Sequence, residues 1–141
     1  LGKQPRNKLH SQLDPGEYAS KDKIRGHQAV ELNPKDAAKR GIKNGDIVCL
    51  SNDRGTCYGG AVITPNLMSG VVVMSTGAWF DPCPDTGACR HGNPNALTPD
   101  IGTSKLAQGP AAHSCLVEVT RCEIDNPPYS AFEPPDFVNR N

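Results

Sequence analysis

The sequence predicts a mainly β fold, a small barrel with few helical segments and long loops. Three observations carry this. Strand-like apolar runs outnumber the single strong helix signal. One of those runs contains a glycine pair, Gly59-Gly60, which reads as a bulge or sharp bend of the kind barrels need. Fourteen glycines and thirteen prolines among 141 residues make roughly a fifth of the chain, against the usual ~12%. Strands are therefore concentrated and loops long. At this length the chain is about one domain and can bury a real core.

The elements follow in order. Residues 1–26 are mostly polar, with one apolar island from Leu9 to Leu13. "HQAVELN" at 27–33 alternates and predicts a strand. It runs into "NPKDAAKRG", a two-turn helix. Asn33 serves as N-cap, Pro34 fits the first helical position, Asp36 lies in the first turn, and Gly41 ends the helix in a left-handed conformation. "KNGD" at 43–46 is a tight turn. "DIVCLSN" at 46–52 and "TCYGGAVIT" at 56–64 form a hairpin across "NDRG". "VVVMST" at 71–76 is a continuous apolar strand, buried on both faces. A long polar loop covers 77–112, and "HSCLVEVTR" at 113–121 is the last strand. The domain proper is assigned to 1–125. The Pro-rich, aromatic residues 126–141 read as an arm laid over something else.

Composition excludes several classes. Formal net charge is zero, so nothing signals a nucleic-acid or membrane surface. No apolar run approaches the ~18 residues of a membrane span. The start, "LGKQPRNKLHSQLDPG", has no apolar signal-peptide core, and the missing initiator Met suggests an excised fragment; a signal cleaved further upstream stays open. Of six cysteines, Cys83 and Cys89 are separated by five residues and could be bridged or hold metal. No CxxC occurs, and Cys49, Cys115 and Cys122 sit in strand-like runs, which favours reduced, unligated thiols. The four histidines are scattered, force no metal site, and His27 reads as a surface or strand-edge residue. No nucleophile elbow, phosphate loop or HExxH is present. No acid–base pair stands out either, so the chain alone reads as a binding module without catalytic residues.

Its polar loops supply the binding groups. "KLHSQLD" offers His10, Ser11 and Gln12; "HGNPNALT" offers Asn93 and Asn95; "GTSKLAQGPAAHS" offers Thr103, Ser104, Gln108, the backbone at Gly109, and His113. Carboxamides present donor and acceptor side by side and suit the edge of a purine or pterin. Backbone N–H groups and hydroxyls suit phosphate without net positive charge. The competing reading is that Asn93 and Asn95 only hydrogen-bond their own loop.

Four linked segments, "LHSQL", "NPKDAAKRGIKNGDIVCLSNDRG", "GVVVMSTGAWFDP" and "HGNPNALTPDIGTSKLAQGPAAHSCLVEV", resemble the C-terminal molybdopterin-dinucleotide-binding domain of the dimethyl sulfoxide reductase family. The resemblance covers nearly the whole chain and lies nearest the S-oxide and N-oxide reductase branch, typified by biotin sulfoxide and trimethylamine N-oxide reductases. Formate dehydrogenase and nitrate reductase branches are the alternative within the family, and a free-standing ligand- or metal-binding module the alternative outside it.

The resemblance implies a six-stranded double-psi β-barrel with a few short helices. It implies a bis(molybdopterin guanine dinucleotide) molybdenum cofactor in a larger parent enzyme. The parent's other domains would be the partners, with a small S-oxide or N-oxide as substrate. By resemblance His10 stands beside the pterin with Ser11 and Gln12, and Gln4 is a polar contact just upstream. Asn95 bonds the pterin system, and Ala112 and His113 replace a Gly-Gln-like pair. Asn93 and Gly109 join the set as loop-shaping positions. The molybdenum ligand lies in another domain, so the isolated chain is an inactive monomer. Its tail aromatics, Tyr129, Phe132 and Phe137, pack on the absent domains. Family members occur in bacterial cytoplasm and periplasm, and the cysteine pattern leans to the cytoplasm.

Overall fold

The computed structural model describes residues 1–109, 111, 115–135 and 137–138. Six strands appear among them: β1 (Gly2–Lys3), β2 (Ala29–Leu32), β3 (Ile47–Asn52), β4 (Gly55–Ile63), β5 (Val72–Ser75) and β6 (Glu118–Arg121). The helices are α1 (Glu17–Ser20) and α2 (Pro34–Lys39), with a 3-10 turn at Pro94–Ala96. The strands form one open mixed sheet in the order β1-β5-β2-β4-β3-β6. β1 runs parallel to β5, and β2 parallel to β4; the other pairs are antiparallel. The core joins Val30 and Leu32 of β2, Val48 and Leu50 of β3, Met74 of β5, Val119 of β6, and Leu97 from the long loop.

The helix signals act as the sequence predicts. The Asn33 side chain accepts from the Lys35 N–H at 2.8 Å. Gly41 has φ +64, and the Ile42 N–H reaches back to the Ala37 carbonyl at 2.9 Å, a Schellman closure. Both Ala37 and Ile42 are buried, so the cap also seats the helix on the core.

The glycine pair works differently from expectation. β3 and β4 keep an unbroken register from Ile47–Gly60 to Asn52–Gly55, so there is no bulge. A side chain at Gly59 would strike Val30 and lie 2.9 Å from the Gln28 carbonyl, and one at Gly60 would strike Ile24. Close approach of neighbouring chain, rather than a bulge, is what excludes a side chain here.

Two further expectations are corrected, and the reading of the cysteines as reduced thiols holds. His27 is not a surface residue: it is fully buried, and its Nδ1–H donates to the Arg90 carbonyl at 2.6 Å. The cysteines follow the favoured reading of free thiols: Cys83 does not pair with Cys89. Cys89 lies beside Cys57 in a parallel bridge, because its N–H bonds the Thr56 carbonyl and its carbonyl accepts from Tyr58; all six cysteines are free. Finally, Tyr129 and Phe132 pack on this domain, against His27, His91 and Trp79. The hook is Ser130, whose N–H and hydroxyl both bond Asp81 at 2.8 and 2.9 Å. Phe137, by contrast, is fully exposed. The last strand is also shorter than predicted, beginning at Glu118. No helix among the described residues is long and apolar enough to cross a membrane.

Candidate cofactor-binding face

Strand pairing opens a cleft of about 240 Å³ at the β1–β5 edge. Leu50, Val72, Met74, Leu97 and Val117 make its apolar walls; Gln4, Thr76, Asn95 and Thr98 make its polar rim. The parallel pairing of β1 with β5 brings Gln4 here: the Thr76 N–H bonds the Lys3 carbonyl at 2.9 Å. Asn95 arrives on the 3-10 turn. The Asn93 side chain caps that turn by accepting from the Asn95 N–H at 2.9 Å. Asn93 thus serves its own loop, as the competing reading has it. The Asn95 side-chain amide has no such bond to another described residue, and neither has that of Gln4.

Asn52 braces the cleft from the side. Its Oδ1 accepts from Arg54 at 3.0 Å, and its Nδ2 donates to Leu97 at 2.9 Å and Leu116 at 3.1 Å. One carboxamide therefore closes the β3–β4 turn and pins two loop segments, one of them a cleft wall.

His10, Ser11 and Gln12 project from a second place, an exposed loop closed by the Gln12 N–H on the Leu9 carbonyl at 3.0 Å. His10 and Leu13 both adopt left-handed backbone, φ 51 and 64. Each costs about 1–3 kcal/mol and persists only where surroundings over-determine it. Two supports do so. The loop packs its His10 carbonyl against Gly77 (φ +91), where any side chain would collide with it. Trp79 holds it twice: Nε1–H donates to the Ser11 carbonyl at 2.9 Å, and the backbone N–H to Asp14 Oδ2 at 3.1 Å.

Beneath the loop lies a charge cluster that sequence reasoning missed. Asp14 is wholly buried and pairs with the ammonium groups of Lys8 and, at 2.9 Å, Lys23. Lys8 also donates to Gln28 Oε1 at 3.0 Å. Lys23 contacts His91 Nε2 at 2.9 Å and sits 4.6 Å from the centre of the Phe132 ring. An ammonium can only donate, so His91 Nε2 accepts and its proton sits on Nδ1, which faces the Trp79 carbonyl at 3.2 Å. Burial and then the Lys23 charge push the His91 pKa down to about 4, so the ring is neutral. Burial raises the Asp14 carboxyl, but the hydrogen bonds from Lys8 and Lys23 outweigh it and hold it below the usual range. Two cations share one anion; the Gln28 oxygen, the His91 lone pair and the Phe132 ring face absorb the excess. The sequence did hold a signal. Lys8 and Asp14 bracket the polar "LHSQL" at both ends, and charged residues flanking a short loop can meet beneath it.

The remaining nominated positions lie apart. Gly109 is exposed, and its carbonyl accepts from Thr103 N–H at 2.8 Å within the 101–109 loop. Ala112 and His113 lie outside the described residues. Among the described residues no group of three His, Cys, Asp or Glu side chains is placed to hold a metal.

Residues 2–116 match the family described as the molydopterin dinucleotide binding domain. The chain is 44% identical to a biotin sulfoxide reductase of Cereibacter sphaeroides, over 84% of this chain and 16% of that protein. It is 44% identical to trimethylamine-N-oxide reductase 1 of Escherichia coli O157:H7, over 93% of this chain and again 16% of the relative. The chain thus spans about a sixth of the curated relatives it matches. Its fold is shared with acetylene hydratase from Pelobacter acetylenicus, TM-score 0.67 at 15% identity, over 86% of this chain and 18% of the other. The chain is a member of the molydopterin dinucleotide binding domain family.

Proposed function

We propose that this chain holds one side of a bis(molybdopterin guanine dinucleotide) molybdenum cofactor in an S-oxide or N-oxide reductase. One observation carries the reading: Gln4 and Asn95, far apart in sequence, rim one apolar-walled cleft with carboxamides that no other described residue engages. Such a cleft accepts a flat, polar-edged ring. His10, Ser11 and Gln12 add donors and acceptors on the strained loop. The cationic excess beneath that loop favours an anionic ligand such as a dinucleotide. The names of the relatives support the S-oxide and N-oxide branch. When bound, the cofactor supplies oxygen-atom transfer at molybdenum; the residues here bind, orient and shield it.

The finer architecture belongs to the same proposal: closure of the mixed sheet into a double-psi barrel over 1–125, with 126–141 as an arm. So do the roles of Gly109, Ala112 and His113 in the cofactor contact. The test is made in the full-length parent. Asn95→Ala and Gln4→Ala lower molybdenum and pterin content of the purified enzyme while the fold is kept; unchanged content in both variants sinks the reading.

A further inference from the structure

The tail after residue 125 lies beyond the matched family region, which ends at 116, yet it touches the charge cluster. Ser130 is its hook. It bonds Asp81 through N–H and hydroxyl, and its oxygen accepts from Arg90 Nη2 at 2.6 Å. Arg90 itself pairs with Asp81 at 2.7 Å. On one side of the hook Tyr129 stacks on His91 at 5.4 Å and meets His27 edge-on at 5.4 Å. Gly26, with φ +86, leaves room for that ring, which a side chain there would strike. On the other side Phe132 meets His91 edge-on at 4.7 Å and Trp79 at 5.5 Å, and it covers the Lys23 ammonium.

We propose that residues 127–132 form a seal over the Lys8–Asp14–Lys23–His91 cluster, and that this seal fixes the shape of the loop carrying His10, Ser11 and Gln12. The route is contiguous. Phe132 packs on Trp79, and Trp79 holds the loop at Ser11 and Asp14. Phe132 also keeps water from Lys23, which holds Asp14. Ion pairs and hydrogen bonds strengthen as water is excluded, so removing the ring weakens both supports together. Tyr129, Ser130 and Phe132 are positioning residues, acting through Trp79 and Asp14. Their consequence for ligand retention rests on the reading of the loop as cofactor-facing.

The test is hydrogen exchange by mass spectrometry on the full-length parent, with and without cofactor. In Phe132→Ala the amides of residues 9–14 and of Trp79 exchange at least tenfold faster, strands 47–52 and 57–63 keep their protection, and Phe132→Tyr restores the loop. Phe137→Ala, a tail aromatic exposed in this chain, leaves exchange at residues 9–14 and Trp79 unchanged. If Phe132→Ala does not accumulate, Ser130→Ala, which removes the hook's hydroxyl bonds to Asp81 and Arg90 without emptying the core, carries the same comparison. Loop exchange at the wild-type rate overturns the seal, and so does equal acceleration in loop and strands, which marks a general stability effect. Pterin release on gel filtration separates the two proposals. Faster release from Phe132→Ala and from Asn95→Ala supports both. Release from Asn95→Ala alone, with the Phe132→Ala loop loosened, overturns the seal's bearing on the ligand. Retention in both, with the loop loosened, supports the seal and sinks the cofactor reading.

Discussion

The Trp79 backbone N–H donates to Asp14 Oδ2 at 3.1 Å, tying the segment after β5 to a carboxylate shared by two buried lysines. That bond makes Asp14 a joint between the loop at residues 9–13 and the segment that follows β5. Asp14→Ala leaves the Lys8 and Lys23 ammonium groups buried without their counter-ion, at a cost of about 3–5 kcal/mol. Urea denaturation reads this directly; a loss under 1 kcal/mol would show that the cluster is not held as described.

The cluster also sets acid sensitivity. The folded His91 pKa is about 4, against an ordinary 6.5. Between those values the unfolded chain binds more protons, so stability falls as pH drops from about 6.5 towards 4, by at most about 3 kcal/mol. His27, lowered mainly by burial, acts in the same direction. Asp14 and Asp81, both held below their ordinary range, withdraw further stability as pH falls through their folded values. Melting temperature against pH reports the sum. His91→Asn flattens the profile above pH 4, and an identical profile in wild type and variant contradicts the assignment.

Asn93 and Asn95 separate cleanly. Asn93→Ala removes a cap and costs roughly 1 kcal/mol of stability. Asn95→Ala leaves the melting point of the cofactor-free protein within about 1 °C, since its side chain bonds no described residue, but weakens cofactor retention by about 1–3 kcal/mol. Melting curves and pterin content of the two purified parents distinguish them. A thermal shift confined to Asn95→Ala in the cofactor-free proteins reverses the assignment.

Gly77→Ala places a side chain against the His10 carbonyl at a left-handed position. It costs about 1–3 kcal/mol and displaces the loop. Faster exchange at residues 9–13 is the expected signature, and wild-type exchange there would refute the contact.

Ile47→Ala acts through the core instead. The side chain is 2% exposed, so truncation costs about 2–5 kcal/mol without touching the cleft. Pterin content per folded molecule stays constant while the urea midpoint falls.

Local chemistry was the legible part of this fold. Asn33, Pro34 and Gly41 announce α2 because capping depends on adjacent residues alone. The β3–β4 hairpin follows from alternation and a tight turn. Gly59 and Gly60 stand out in the sequence, but the bulge they suggest does not form, and the approach of Val30 and Ile24 is a contact between distant segments. His27 misled for the same reason: its burial comes from Arg90 and the tail, neither of which is near in sequence. At the candidate site, Gln4 and Asn95 were nominated by resemblance, but only the β1–β5 pairing puts them on one cleft. The Lys8–Asp14–Lys23–His91 cluster escaped because its members look like ordinary surface charges until the chain folds over them.

The parallel pairing of β1 with β5 has a consequence for assembly. Gln4 rims the cleft at one end of the chain, while Val117 walls it near the other. Contacts so distant in sequence close a long loop and bear its entropy before any packing repays it. The hairpin of β3 and β4 can form early from its own neighbours. The cleft therefore takes shape after that hairpin, and a chain halted before Pro94 carries a hairpin and a helix but lacks the 94–98 and 115–117 parts of the wall that would hold a ligand.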